Sequence, residues 1–184
     1  MDEATTDGRL RKGRQRQQEL IEATLRVVAR DGVAGVSHRA VAKEAGQPYT
    51  SAAYYFSSIH ELLTAALTGS MDADAAVIRQ VTDTADTDGR RDLAELLASV
   101  VRDPGRLLAE FELFLLAAKD TGLRPATDRW LAALADFARR YTDDPVRVRV
   151  FVGAVDGLLV QSLLTENPPG PDEFDAMLRV LLPE

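Results

Sequence analysis

SHRAVAKEAGQPYTSAAYYFSSIHELL, running from Ser37 to Leu63, decides how this chain is read. In its first part Val41, Ala42 and Ala45 make a small apolar face, Arg39, Lys43 and Glu44 point elsewhere, and Ser37 stands where an N-cap belongs. Gly46 ends that segment, because glycine closes a helix at positive φ. Pro48 cannot prolong the old helix but suits the first turn of a new one. Two short helices around a glycine turn form a helix-turn-helix pattern. The second carries Gln47, Tyr49, Thr50, Ser51, Tyr54 and Tyr55, groups that hydrogen-bond base edges, touch thymine methyls or grip phosphates. Ala52 and Ala53 keep it slim enough for a major groove. Phe56 anchors its end. Ser58-Ile59-His60-Glu61 then has the spacing of a capping box, predicting a further helix with Leu62, Leu63, Ala66 and Leu67 on its buried face.

Upstream, Gln17, Leu20, Ile21, Thr24, Leu25 and Val28 recur at helical spacing, which predicts a helix from Arg14 to a stop at Asp31-Gly32. Arg14 or Arg16 at its start would reach phosphate. Residues 1–13 show no apolar periodicity and are expected to be a flexible basic arm. Their charge suits either an arm along the DNA backbone or a solvated terminus.

The run VAKEAG, a short turn, YYF and a helix with LL resemble the N-terminal DNA-binding domain of the TetR (tetracycline-repressor) family of one-component transcription regulators, over roughly residues 14–68. Four positions depart from the common pattern of that family: Gln47 stands for an apolar residue, Ala52 for Leu or Ile, Ala53 for an aromatic, and Ile59 for a phosphate-binding Lys. The last change leaves phosphate contact at that helix start to backbone N–H groups or His60. Residue chemistry and resemblance together give Arg14, Ser37, Arg39, Lys43, Gln47, Pro48, Tyr49, Thr50, Ser51, Tyr54, Tyr55 and His60 as candidate DNA-binding residues.

The whole chain of 184 residues carries a net charge of −7, which looks wrong for a DNA binder until it is divided. Between Arg9 and Phe56 nine bases face four acids, a net of +5. From Gly69 onward 13 bases face 21 acids, a net of −8. One end can approach phosphates while the other avoids them. With no cysteine there is no disulfide and no thiolate metal site, and no apolar run has the length of a membrane span or the form of a cleaved leader, so a cytoplasmic protein is expected.

The second half predicts only helices. The segment from Ser58 runs to about Thr84 unless Gly69 breaks it, and Asp86 to Gly89 is a polar loop. Leu93, Leu96, Leu97, Val100 and Val101 mark the next helix. Asp103-Pro104 starts another that Thr121-Gly122 should close, and a further helix covers about Ala126 to Tyr141. Asp144-Pro145 opens a helix from Val146 to about Thr165 that is apolar nearly all round, so one side is expected to meet a second copy of the chain. Gly153 and Gly157 would admit a partner backbone, and a terminal helix follows Pro171. The resemblance implies a homodimer through a four-helix bundle from two late helices of each subunit. These are taken here as 126–141 and 146–165, with Leu134, Gly153, Gly157 and Val160 as interface candidates.

No convergent nucleophile and base can be assembled, and no metal, phosphate-loop or dinucleotide motif occurs, so neither catalysis, nor a metal site, nor a cofactor is expected. Asp72, Asp74, Asp83 and Asp128 read as a solvated face. Phe111, Phe114, Trp130, Phe137 and Phe151 are candidates for a small-molecule pocket, with Glu112, Asp156 and Gln161 as polar positions that orient a ligand or serve a dimer contact. The expectation is an all-α chain of about nine helices: an arm at 1–13, a helix-turn-helix domain at 14–68, and an effector-binding and dimerisation domain at 69–184. Its function would be ligand-responsive repression, released from a palindromic double-stranded DNA operator by a small-molecule effector. The rival readings are a helical ligand-binding dimer without operator binding and an all-helical enzyme.

Overall fold

The computed structural model describes residues 3–84 and 88–183, with side chains from Leu10 onward. The described residues form nine α-helices: α1 Glu3–Asp31, α2 His38–Glu44, α3 Tyr49–Tyr55, α4 Ile59–Asp83, α5 Arg90–Val100, α6 Pro104–Leu116, α7 Arg124–Ala138, α8 Pro145–Ser162 and α9 Pro171–Leu181. A single 3-10 turn, Val33–Gly35, joins α1 to α2.

The first helix is longer than its apolar spacing predicts. Residues 3–13, expected as an unstructured arm, continue α1, and only Met1 and Asp2 of that stretch lie outside the described residues. No proline falls in 3–31. Gly8 and Gly13 cost about 1 kcal/mol each relative to alanine, which a helix of 29 residues tolerates.

Local chemistry builds the rest of the N-terminal head as expected. The Ser37 hydroxyl accepts the Ala40 N–H at 3.1 Å and starts α2. Gly46, at φ 63°, ends it by donating its N–H to the Lys43 carbonyl. The Ser58 hydroxyl accepts the Glu61 N–H, while the Glu61 carboxylate accepts from the backbone N–H and the hydroxyl of Ser57 at 2.7 and 2.8 Å. Those two bonds hold the Glu61 carboxyl below the usual carboxylate range. Leu20, Val27, Val41, Ala52, Phe56 and Leu62 form the buried centre of this head.

The fourth helix passes unbroken through Gly69. A Cβ there would lie 3.5 Å from the Ile21 side chain, so the position marks where α4 runs closely beside α1. Beyond it α4 leaves the head and packs along α7, held by Arg129, which grips Asp72 at 2.6 and 3.1 Å.

The remaining helices surround that continuation. Asp103 and Asp144 cap α6 and α8 by accepting the N–H groups of Arg106 and Val146. The predicted stop at Thr121-Gly122 falls after α6 has already ended, at the close of several turns. Buried Arg90 donates to the Leu182 carbonyl at 2.7 Å and lies over the Tyr141 ring, pinning α5 to the end of α9. The Asp88 carboxyl, held by Arg90 and Arg179, is pushed far below the usual carboxylate range. Asp86 and Thr87 of the predicted loop lie outside the described residues.

Candidate functional site

The head exposes the face that its sequence suggests, with three corrections. On α3, Tyr49 and Tyr54 are 58% and 82% exposed, and Thr50 and Ala53 are also open to solvent. Ser51 is half-buried, and Pro48 is exposed at the helix start. Arg14, Arg39 and Lys43 are exposed and make no ion pair with any described residue, and the same holds for Arg16. Arg26 and Arg30 differ: both are tied to Glu44 at 3.0 and 2.7 Å, so they fasten α1 to α2. Ser37 is exposed but spends its hydroxyl on the α2 cap.

Gln47 is the first correction. Its amide donates to the Arg16 carbonyl at 3.0 Å and to the Glu19 carboxylate at 2.8 Å, so it ties the turn to α1 instead of facing a base edge. A polar residue substitutes for an apolar one here because α1 offers it two acceptors. Tyr55 is the second. It is half-buried, packs edge-on against Tyr54, and brings its hydroxyl beside Gly13 of α1.

His60 is the third. Its Nδ1 stands 2.8 Å from the Asp120 carboxylate, and its Nε2 lies against Gly122. It faces the turn between α6 and α7, because α4 rises from the head directly beside that turn. His38 is used internally as well, with Nε2 at 2.9 Å from the Phe56 carbonyl, bracing the start of α2 against the end of α3.

A second feature sits among α4, α5, α6, α7 and α8. Phe111 and Phe114 of α6 and Trp130 of α7 line a cavity completed by Met71 and Asp74 of α4, Val100 of α5, Leu107 and Glu110 of α6, and Asp156 and Leu159 of α8. Its water-accessible space is about 20 Å³, room for one water. Phe137 and Phe151 are not part of it. They stack on each other at 6.0 Å, fully buried in the core between α7 and α8, and Phe137 also packs against Tyr141 at 5.4 Å.

Sequence reading offered Asp156 for the polar side of this cavity and missed Asp74 and Glu110. Asp74 is buried, not part of a solvated face. The signal was its place in the series Ser70, Met71, Asp74, Ala75, Ile78 and Val81, which is the inward stripe of α4. Arg106 donates to Asp74 at 2.9 Å and to Glu110 at 2.7 Å, and the Ser70 hydroxyl also donates to Glu110. Burial raises the Asp74 and Glu110 carboxyls above their ordinary range despite the guanidinium. Burial likewise raises Asp156, against a single opposing bond from the Trp130 indole N–H at 3.3 Å.

Two elements reach both features: α4, which runs from the head to Met71 and Asp74, and α6. Glu112, on α6 between Phe111 and Phe114, does not line the cavity. Its carboxylate accepts the Val33 N–H at 3.1 Å, in the link between α1 and α2.

Exposed apolar residues gather elsewhere, on α8 and α9: Val146, Val150, Val160 and Val180, with Leu164 just past the end of α8. Gly153 and Gly157 face the groove between these helices, and a Cβ on either would meet nothing within 4 Å. Gln161 lies in the same groove. Leu134 does not belong to this surface. It is completely buried inside one subunit, because the apolar stripe of α7 is spent on α4. Among the described residues no helix is long and apolar enough to cross a membrane, and no group of three His, Cys, Asp or Glu side chains is arranged to hold a metal ion.

Two family descriptions match the sequence: "Bacterial regulatory proteins, tetR family" over residues 20–66 and "Tetracyclin repressor-like, C-terminal domain" over residues 88–184. No curated protein matches significantly. Among solved structures, a TetR-family member, SCO1917 of Streptomyces coelicolor A3, is 33% identical with a TM-score of 0.77, covering 92% of this chain and 99% of that one. The multidrug binding protein EbrR complexed with malachite green is 33% identical with a TM-score of 0.73, covering 91% and 98%. EbrR complexed with ethidium is 32% identical with a TM-score of 0.69, covering 90% and 97%.

Proposed function

Because this chain belongs to the TetR family of bacterial transcription regulators, we propose that it holds an operator with α3 of two subunits and releases it when a small molecule enters the cavity between α4 and α8. It is a ligand-responsive DNA-binding regulator and not an enzyme.

The observation that carries the release mechanism is the double role of α6. Phe111 and Phe114 face the cavity while Glu112 between them holds the α1–α2 link. A cavity with room for one water admits a drug-sized molecule only if its walls move. Displacing α6 shifts the anchor of the head, and with it the separation of the two α3 helices. Those helices must enter successive major grooves, about 34–36 Å apart or a multiple of that, so a change of separation weakens binding to a pseudo-palindrome. The coupling is reciprocal: ligand and operator disfavour each other by one shared free energy.

In this reading Tyr49, Thr50, Ser51 and Tyr54 read bases, while Arg14, Arg39, Lys43 and the backbone N–H of Ser37 hold the phosphates, with Pro48 packing beside the sugar-phosphate chain at the start of α3. Two subunits meet through the exposed apolar faces of α8 and α9, including Gly153, Gly157 and Val160. Residues 14–68 form the reading head and 69–184 the effector and dimer body, with α4 continuous across the boundary. EbrR has been solved with ethidium, malachite green and proflavin, so aromatic compounds of this kind are the first effectors to test.

Anisotropy titrations on a duplex selected from random sequence test the reading face. Thr50→Ala and Tyr54→Ala should each weaken specific binding about tenfold while leaving the dimer intact. Unchanged affinity in both variants would place the reading surface elsewhere.

A further inference from the structure

Three carboxylates line the effector cavity, and they are not equivalent. Arg106 serves two of them, donating from Nε to Glu110 and from Nη2 to Asp74, with the Ser70 hydroxyl added to Glu110. Asp156 has no such partner. Its one hydrogen bond among the described residues comes from a neutral donor, the Trp130 indole N–H, at the long distance of 3.3 Å. The residue is half-buried on α8, beside the aromatic and aliphatic side chains of Trp130, Phe111 and Leu159. An ionised carboxylate in such a setting loses hydration without receiving a counter-charge. That cost is recovered when a cation enters.

On the reading of this cavity as the effector site, we infer that it takes a flat aromatic monocation and that Asp156, not Asp74 or Glu110, reads the charge. The ring system lies among Phe111, Phe114 and Trp130, where apolar burial and the negative faces of the rings both favour a delocalised cation. The positive charge faces the carboxylate that Arg106 does not neutralise. An anion would meet three carboxyl groups against one guanidinium. A neutral ring of the same shape gains the apolar contact but leaves Asp156 without a counter-ion.

A matched pair of probes separates charge from shape: N-methylacridinium, a permanent cation, and acridine, uncharged near neutral pH. Fluorescence titration of the wild-type dimer should favour the cation by about tenfold to a hundredfold, the range of one charge-assisted contact. Asp156→Asn keeps an acceptor for Trp130 and should abolish that preference, lowering the affinity of the cation without weakening that of acridine; circular dichroism verifies its fold. Asp74→Asn should retain the preference. Failure of the cation to bind the wild type, persistence of the preference in Asp156→Asn, or its loss in Asp74→Asn instead, would overturn the charge assignment. Trp130→Ala should weaken both probes. If it weakens neither, the compounds bind outside this cavity and the effector-site reading itself fails. If it weakens both while Asp156→Asn keeps the preference, the site stands and the charge assignment falls.

Discussion

At the scale of single residues, function leaves its mark where local stability is given up. Burial raises the Asp156 carboxyl above its ordinary value and only Trp130 opposes the shift. The folded protein therefore binds a proton there more tightly than the unfolded chain. Ionised Asp156 costs stability above its folded pKa, and the cost vanishes as pH falls below the ordinary carboxylate value of about 4. Asp156→Asn should accordingly melt above the wild type near neutral pH, with the gap closing as the solution is acidified. A gap that does not change with pH would remove burial of charge as its cause. Gln47 makes the opposite case. Gln47→Ala deletes bonds to Arg16 and Glu19 and should cost about 1 kcal/mol in urea unfolding while operator sequence preference is kept. Neither role can be read from one position in isolation. The partners of Gln47 lie 28 and 31 residues upstream, and Asp156 and Trp130 are 26 apart.

At the scale of elements, start signals were legible and packing partners were not. Ser37, Ser58, Asp103 and Asp144 all cap the helices their sequence predicts, because a cap is a contact over two or three residues. The start of α1 was misjudged because charged residues give no apolar stripe yet nothing between Glu3 and Arg14 breaks a helix. Phe137 and Phe151 joined the core and not the cavity because a helical stripe fixes which residues face inward, not what they face. The link from α6 to the head was invisible for the same reason, since Glu112 and Val33 are 79 residues apart. Glu112→Ala should leave effector affinity as it is, because the side chain is outside the cavity. It should also reduce severalfold the ratio of operator affinities without and with effector. An unchanged ratio would mean that the signal leaves the cavity through α4 alone.

Across the whole molecule the chain separates its charges and its surfaces. The basic head carries Arg14, Arg39 and Lys43, exposed and without an ion pair among the described residues, while the acidic body keeps away from phosphate. That division could be counted directly from the sequence, as could the all-round apolar character of α8. The partner proposed for α8 in the dimer surface could not, because α7 carries an equally apolar face and only the structure shows that face packed against α4. Val160→Asp should turn the dimer into a monomer on sedimentation, and operator affinity should drop by two orders of magnitude or more as the second head ceases to be tethered. A variant that remains dimeric would move the interface off this part of α8.

The central claim is that one protein carries a DNA-reading face and a ligand cavity joined by a coupling free energy. Its most direct test is a pair of titrations under one salt condition: operator affinity with and without saturating ethidium, and ethidium affinity with and without saturating operator. The predicted result is that both affinities fall, by the same factor. Tight ethidium binding with operator affinity unchanged would contradict the account.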